Sequence, residues 1–285
     1  MVEAIEDLFV PVLIYNNKSS DAALLKKFNE PSWNNPIVRF LNNNGNDVIA
    51  RKSGVWTVGP MASRMSAALK AAKRPVPSYL SAIAIDNSKL ETATFAMHCY
   101  WTGEARLGSI DGVMSTSAGW AGGLEVVQLT YDPSIVEYSK LVETAQSFQC
   151  ATKVFTHSDA QLKTAKALVG GRAVEFPGGA RKARLSEQKY QLRTIAGVRS
   201  LPLTTFQSTK VNSFIRSAER QRVYEFLSPR QTKLLEQILA ESKKSNGKSL
   251  DGFVFPDDDS KLIEYEMRLR KQLACLLYTS PSPRD

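Results

Sequence analysis

Cysteine has the clearest potential for chemistry in this chain, because 285 residues contain only three: Cys99, Cys150 and Cys275. Cys99 follows an apolar run, TATFA, and directly precedes Tyr100 and Trp101 at the start of a predicted helix. Unpaired backbone N–H groups and the helix dipole at such a position favour the thiolate, the nucleophilic form of cysteine. Cys99 is therefore a candidate nucleophile, and the alternative is a buried core thiol beside aromatic neighbours.

The composition is that of a globular protein. Hydrophobic residues make up 43% of 285 residues, enough for at least one substantial core. No run approaches 18 consecutive apolar residues, and no signal-peptide pattern stands at the N-terminus, so we expect no membrane partner and a cytoplasmic location. Three cysteines do not make a disulfide framework, and no Cys/His spacing predicts a metal site.

The formal net charge of +9 raises the question of nucleic-acid binding. Lys and Arg are spread along the chain, and the densest run, RKARLSEQKYQLR at 181–193, is interrupted by Glu187. We interpret this run as a solvated basic helix face and expect no nucleic-acid partner. Association with an acidic partner is the alternative.

The middle of the chain reads as a compact α+β domain over 88–200, in the α/β class, with a mixed sheet and flanking helices. Apolar and alternating runs predict five strands, at 91–97, 113–120, 124–132, 151–155 and 172–176. Helical periodicity predicts three helices, at 101–110, 138–148 and 159–169.

The N-terminal part reads as a smaller lobe over 1–80. The predicted order is a strand (LFVPVLIY, 8–15), a helix (21–28), a hairpin (37–41 and 47–51, joined by NNNG), a helix (60–73) and a proline-rich linker (RPVPSYL, 74–80). This order resembles the second half of a thioredoxin fold, and Pro36 stands where that family carries a cis-proline. The CxxC-bearing first half of that family has no counterpart, so we expect that the fragment starts late or that Met1 is an internal start. A generic α/β lobe is the alternative.

The C-terminal part reads as a helical extension over 201–274. Helices are predicted at 204–218, 228–244 and 258–274, with Ser228 as N-cap and Pro229 in the first turn of the second. We expect these helices to pack on the middle domain or on a partner, and a helical DNA-binding role is the alternative.

The last eleven residues, CLLYTSPSPRD at 275–285, resemble a translated sequencing-library adapter. Our hypothesis is that they are read-through from an environmental gene fragment into the adapter.

Three blocks of the middle domain resemble a known family. HCYWTGE (98–104), GVMSTSAGWAGG (112–123) and LEVVQLTYDP (124–133) are similar to the motifs of A-type peptide methionine sulfoxide reductase. That family shows Gly-Cys-Phe-Trp-Gly-x-Glu, then Gly-Val-x-Ser-Thr-x-x-Gly-(aromatic)-x-Gly-Gly, and later a Glu-Val-Val strand ending in Tyr-Asp-Pro. The resemblance covers about residues 91–192.

The resemblance implies a thiol-dependent reduction of methionine S-sulfoxide in peptides or proteins, a repair reaction under oxidative stress. Cys99 would attack the sulfur, and Glu125, at the position of the family's catalytic glutamate, would protonate the oxygen. Tyr100 and Trp101 would form an aromatic wall for the methyl group. The expected partners are sulfoxide-containing peptides or proteins and a thioredoxin-type reductant, with no bound cofactor. Glu125 on the solvent face of its strand, and core roles for the aromatic residues, are the alternatives.

The departures from the family also carry predictions. His98 and Thr102 replace two glycines of the first motif, and the long tyrosine-bearing insertion before the glutamate is missing. The family's Asn-Asp-His-Gly-Thr-Gln-Tyr-Arg-Ser block is reduced to SFQCATKVF, which puts Cys150 in place of an active-site tyrosine. In that place Cys150 could resolve the Cys99 sulfenic acid as a disulfide, and a passive buried thiol is the alternative. Tyr190 is a candidate for a pocket hydroxyl.

These departures leave two functional hypotheses. The first is a divergent methionine sulfoxide reductase behind a partial thioredoxin-like domain. The second is a thiol redox sensor or peptide-binding module on the same fold.

Overall fold

A computed structural model describes residues 1–30 and 36–279, with side chains described up to residue 276. The chain forms two compact units, Met1–Asp86 and Asn87–Asp285. The domain boundaries predicted from the sequence (1–80, 88–200, 201–274 and 275–285) remain predictions.

In its described residues the first unit combines four α-helices with a two-stranded antiparallel hairpin. Its elements are α1 (Val2–Leu8), α2 (Ala22–Lys27), β1 (Ile37–Leu41), β2 (Asp47–Ser53), α3 (Val58–Ala71) and α4 (Ser78–Ile83). The hairpin and α3 confirm the sequence prediction. Apolar side chains of α1, α3 and α4 form the core of this unit. Tyr79 and Leu80 are buried in that core, so the linker predicted over 74–80 is wrong for its last three residues.

The strand predicted over 8–15 is wrong. Leu8 ends α1, and Val10 and Val12 beyond it are 89% and 74% exposed. Pro11 interrupts this run, and a strand needs a neighbour to pair its backbone groups. The sheet of this unit contains β1 and β2 alone among the described residues. The thioredoxin-like resemblance is therefore not confirmed. The cis-proline expected at Pro36 depends on the peptide bond to Asn35, which lies outside the described residues.

The second unit begins with a mixed six-stranded sheet and its helices. The elements are β3 (Glu91–Ala96), α5 (Tyr100–Gly108), β4 (Val113–Ala121), β5 (Leu124–Tyr131), α6 (Tyr138–Ser147), β6 (Lys153–Thr156), α7 (Asp159–Val169), β7 (Ala173–Glu175) and β8 (Arg181–Lys182). The strand order is β7-β6-β3-β5-β4-β8, and β6 and β7 are the parallel pair. This architecture confirms the predicted fold class.

Two features of the sheet explain where the site is built. Gly122 and Gly123 join β4 to β5 with φ of 55° and 76°, conformations that a two-residue hairpin requires and glycine adopts readily. Ala93, Phe95 and Val127 fill the core beneath α5. β3 is central in the sheet, so the chain leaving it at Ala96 enters α5 above this core.

Helices form the rest of the second unit. They are α8 (Tyr190–Arg193), α9 (Thr205–Phe214), α10 (Pro229–Lys244) and α11 (Leu262–Thr279). Ser228 caps α10 through a capping box with Gln231, and Pro229 begins the helix, as predicted. These helices share a second hydrophobic core that includes Phe226, Leu235 and Leu269. Residues 280–285, most of the run interpreted as adapter, lie outside the described residues.

The basic run 181–193 is not a solvated helix face, and that interpretation is wrong. It contains β8, a short 3-10 turn and α8. Lys189 and Arg193 are only 5% and 6% exposed, because each is paired with a carboxylate: Lys189 with Glu104, and Arg193 with Asp257. Buried cations require such partners, so part of the basic charge is structural.

Lys210 on α9 joins the C-terminal helices to the end of α5. Its Nζ donates hydrogen bonds to the carbonyl oxygens of Gly108, at 2.9 Å, and Ile110, at 2.7 Å. These carbonyls lie at the C-terminus of α5, where the helix leaves acceptors unpaired and a positive charge is favoured. Helices α5 and α9 pack closely at this point, since a Cβ atom added to Gly108 would lie 2.5 Å from Ser213 Oγ.

Lys210 should give the protein a characteristic pH dependence of stability. Burial lowers the pKa of Lys210 from 10.5 to about 8, against a smaller opposite effect of Asp111. Between pH 8 and 10.5 the unfolded chain binds the proton more tightly, so the free energy of unfolding rises with pH in this window. We expect wild type to gain up to ~1.4 kcal/mol per pH unit relative to Lys210→Met. Urea denaturation at pH 8, 9 and 10 measures this difference, and parallel stability curves for the two proteins would contradict it.

Candidate active site

Cys99 lies at the N-terminus of α5, as the sequence predicts. It is the N-cap residue, with φ −144° and ψ 111°, and its carbonyl accepts the hydrogen bond from the N–H of Gly103 at 3.0 Å. The thiol is free and partly exposed. A thiol at this position faces the positive end of the helix dipole and is accessible to a ligand.

Glu125 reaches the same helix end from β5. Its Oε2 accepts a hydrogen bond from the N–H of Tyr100 at 2.9 Å. Its backbone is fixed on both sides: its carbonyl accepts from the N–H of Met97 at 3.0 Å, and Glu125 pairs with Trp120 across the β4–β5 hairpin. The carboxyl group is therefore directed toward the N-terminus of α5, and Glu125 is half-buried there.

Aromatic rings line the beginning of α5. Trp101 stacks on Tyr190, with ring centroids 3.9 Å apart and planes inclined by 10°. Tyr100 is buried and packs edge-on against Trp101 at 6.1 Å and Trp120 at 5.2 Å. Burial raises the pKa of Tyr100, and the negative charges of Glu187 and Glu125 raise it further, so its hydroxyl stays protonated.

Cys150 is buried, 2% exposed, just after α6. Its thiol donates to the carbonyl of Phe148 at 3.4 Å. Burial raises the pKa of the Cys150 thiol, nearby Arg106 acts in the opposite direction, and a negative charge on Cys99 raises it further. The Cys99 and Cys150 thiols are therefore close enough to affect each other electrostatically, and the Arg106 guanidinium lies beside Cys150.

The sequence did not predict the ion pair that positions Tyr190. Glu104 on α5 is fully buried and accepts three hydrogen bonds: from Thr116 Oγ1 at 3.1 Å, and from the backbone N–H and Nζ of Lys189 at 2.7 and 2.8 Å. Lys189 has φ 51°, a left-handed conformation at the start of α8. This ion pair fixes the segment whose next residue, Tyr190, stacks on Trp101.

Four of the predicted site residues surround the start of α5: Cys99 and Tyr100 themselves, Trp101, and Glu125. Tyr190 joins them by stacking, and the Cys150 thiol lies close to the Arg106 guanidinium and within the electrostatic reach of Cys99. Among the described residues no group of three or more His, Cys, Asp or Glu side chains could hold a metal ion, and no helix is long and apolar enough to cross a membrane.

Removing the Glu104 charge should destabilise the fold strongly. Glu104→Gln leaves the buried Lys189 ammonium without its carboxylate, which should lower the free energy of unfolding by about 3 kcal/mol. Urea denaturation measures the loss, and Glu143→Gln is the matched control, since Glu143 forms an exposed pair with Lys140. The double variant Glu104→Gln/Lys189→Met should recover part of the stability, and an additive loss in the double variant would contradict this account.

The chain is similar in sequence to curated peptide methionine sulfoxide reductases of type A. Peptide methionine sulfoxide reductase A5 of Oryza sativa subsp. japonica is 30% identical over 137 residues, 41% of this chain and 51% of the rice protein. The A5 protein of Arabidopsis thaliana is 30% identical over 149 residues, 48% of this chain and 56% of that protein. The chain thus spans about half the length of these plant relatives.

Part of the chain also aligns with a solved reductase structure. Methionine sulfoxide reductase A of Corynebacterium diphtheriae aligns with 37% of this chain and 76% of its own, at 21% identity and a TM-score of 0.31. No protein-family model matches the chain. The curated relatives confirm the resemblance drawn from the motifs: the chain contains a domain similar to peptide methionine sulfoxide reductase A.

Proposed function

We propose that this chain reduces methionine S-sulfoxide in peptides and proteins at the expense of an external thiol. One observation carries the proposal: the Glu125 carboxyl group is hydrogen-bonded to the N–H of Tyr100, the residue that follows Cys99 at the N-terminus of α5. A nucleophilic sulfur and a proton-carrying group thus share one helix end. Sulfoxide reduction needs both, because sulfur is attacked while oxygen is protonated.

The reaction balances with the groups present. The Cys99 thiol gives its proton to Glu125, and the thiolate attacks the sulfoxide sulfur while Glu125 passes the proton to the oxygen. The hydroxyl then moves to the Cys99 sulfur: a new S–O bond forms there while the substrate S–O bond and the transient S–S bond between Cys99 and the substrate both break. The products are methionine and a Cys99 sulfenic acid, so the substrate is reduced and Cys99 is oxidised.

The aromatic cluster supports recognition of the substrate methyl group. Trp101 and Tyr190 present stacked rings next to the thiol, with Tyr100 packed behind Trp101. Rings of this kind bind an S-methyl group by apolar contact. The Tyr190 hydroxyl is proposed as a hydrogen-bond donor to the sulfoxide oxygen, in place of the family tyrosines that this chain lacks.

Cys150 is proposed to complete the cycle. Its thiol attacks the Cys99 sulfenic acid, forming a Cys99–Cys150 disulfide and releasing water. Burial raises the pKa of the Cys150 thiol, and the Arg106 guanidinium beside it partly offsets this effect by favouring the thiolate that must attack. An external dithiol of the thioredoxin type then reduces the disulfide, and the reaction needs no bound cofactor.

Turnover of methionine S-sulfoxide with dithiothreitol tests the proposal. Wild type should be active, Cys99→Ser inactive, and Glu125→Gln slowed by about 10²-fold or more in kcat, because the amide cannot carry the proton. Glu137→Gln is the matched control, since Glu137 is an exposed carboxylate of the same unit, and it should retain full activity. Inactive wild type with a reactive Cys99 thiol would instead favour the alternative function, a thiol redox sensor or peptide-binding module.

A further inference from the structure

A groove of about 840 Å³ is lined by α5, the segment just after α6, and α9 with the residues that follow it. Three of its lining residues are chain neighbours of site residues. The pairs are Thr102 beside Trp101, Gln149 beside Cys150, and Gln191 beside Tyr190. The groove therefore lies close in the chain to Trp101, Cys150 and Tyr190.

One wall of the groove is a single face of α5. Thr102, Arg106 and Ser109 line it at spacings of four and three residues, which places them on one side of the helix. Cys99 is the N-cap of this helix and precedes Thr102 by three residues. At 1.5 Å per residue this wall is about 10 Å long, the length of about three residues of extended chain.

Asn212 on the opposite wall presents a hydrogen-bond donor without a partner. The residue is 1% exposed, lines the groove, and accepts from the N–H of Leu192 through Oδ1 at 3.1 Å. That bond fixes the orientation of the amide, since the N–H of Leu192 needs an acceptor. Within the described part of the chain, the buried Nδ2 has no acceptor. A buried donor left unpaired is unfavourable, so a ligand carbonyl here would gain affinity.

The groove is also positively charged. Arg216 lines it and is held in place by hydrogen bonds from its Nε to the carbonyl of Gln191, at 3.3 Å, and from its Nη2 to Thr194 Oγ1, at 2.9 Å. Arg106 adds a second guanidinium on the α5 wall. The acidic lining residue, Glu219, is paired with Arg222 at 3.3 Å, which offsets its charge.

We propose that this groove binds the polypeptide that carries the methionine sulfoxide, as an extended segment with acidic side chains. A backbone carbonyl of the segment accepts from Asn212 Nδ2, and a carboxylate of the segment pairs with Arg216. The sulfoxide side chain then enters the aromatic cluster beside Cys99. This inference rests on the proposed function and adds a substrate preference to it: acidic, protein-bound methionine sulfoxide over the free amino acid.

Two substrates separate the groove from the chemistry, with dithiothreitol as reductant. One is free methionine S-sulfoxide, and the other is a pentapeptide with a central methionine S-sulfoxide between glutamates. Arg216→Gln should lose about tenfold in kcat/KM for the pentapeptide and nothing for the free amino acid. Asn212→Asp, which keeps the acceptor for Leu192 N–H but loses the donor, should behave in the same way. Arg270→Gln is the matched control, because Arg270 is a paired arginine on α11, and it should change neither value.

Other outcomes overturn the inference. Equal losses on both substrates, or no loss in Arg216→Gln, would show that the groove does not bind the peptide. A defect confined to recycling by a thioredoxin-type protein would assign the groove to the reductant instead. If wild type turns over neither substrate, the proposed function fails, and fluorescence anisotropy of a labelled pentapeptide with methionine in place of the sulfoxide still tests the groove. Weaker binding by Arg216→Gln than by wild type supports the groove, and equal or absent binding overturns it.

Discussion

The charge arrangement at the two ends of α5 is the constraint on which the candidate site depends. At the N-terminus, the Glu125 carboxyl group accepts from the N–H of Tyr100. At the C-terminus, the Lys210 ammonium donates to the carbonyls of Gly108 and Ile110. Both interactions complement the helix dipole and satisfy backbone groups that a helix leaves unpaired. They hold α5 between the sheet and α9, and so fix the position of Cys99.

The side of α5 is held by a third charged contact, the buried pair of Glu104 and Lys189. This pair joins α5 to the start of α8 and thereby sets Tyr190 on Trp101. An ion pair this deeply buried contributes little net stability, but removing one partner strongly destabilises the fold. Its effect in this protein is positional, because it brings an aromatic ring from a distant segment to the ring beside the thiol.

Local patterns predict most of the second unit. The apolar run of β3, the glycine pair between β4 and β5 and the capping residues of α10 each determine their own element, because the relevant interactions join residues close in sequence. The position of Cys99 at a helix N-terminus follows from the same local pattern. Glu125 could be named because a family motif marks it, although its contact with Tyr100 is 25 residues distant in sequence.

Long-range contacts explain what the sequence could not predict. Lys189 lies 85 residues from Glu104, and Lys210 lies 102 residues from Gly108. A basic residue with such a distant partner has the same local pattern as a solvated one, so the sequence at 181–193 does not distinguish the buried Lys189 from a solvated lysine. The strand prediction at 8–15 is wrong for a related reason. Whether an apolar run forms a strand depends on a neighbouring strand and on breaks such as Pro11, not on hydrophobicity alone.

The central claim is that Cys99 takes the oxygen of the sulfoxide and that Cys150 resolves the product. A single-turnover experiment without external thiol tests it most directly: fully reduced protein is mixed with excess methionine S-sulfoxide, and both methionine and the thiol state of each cysteine are measured by mass spectrometry. The account predicts about one methionine per chain and a Cys99–Cys150 disulfide. Methionine formed while Cys99 stays reduced, or no methionine from folded protein, would contradict it.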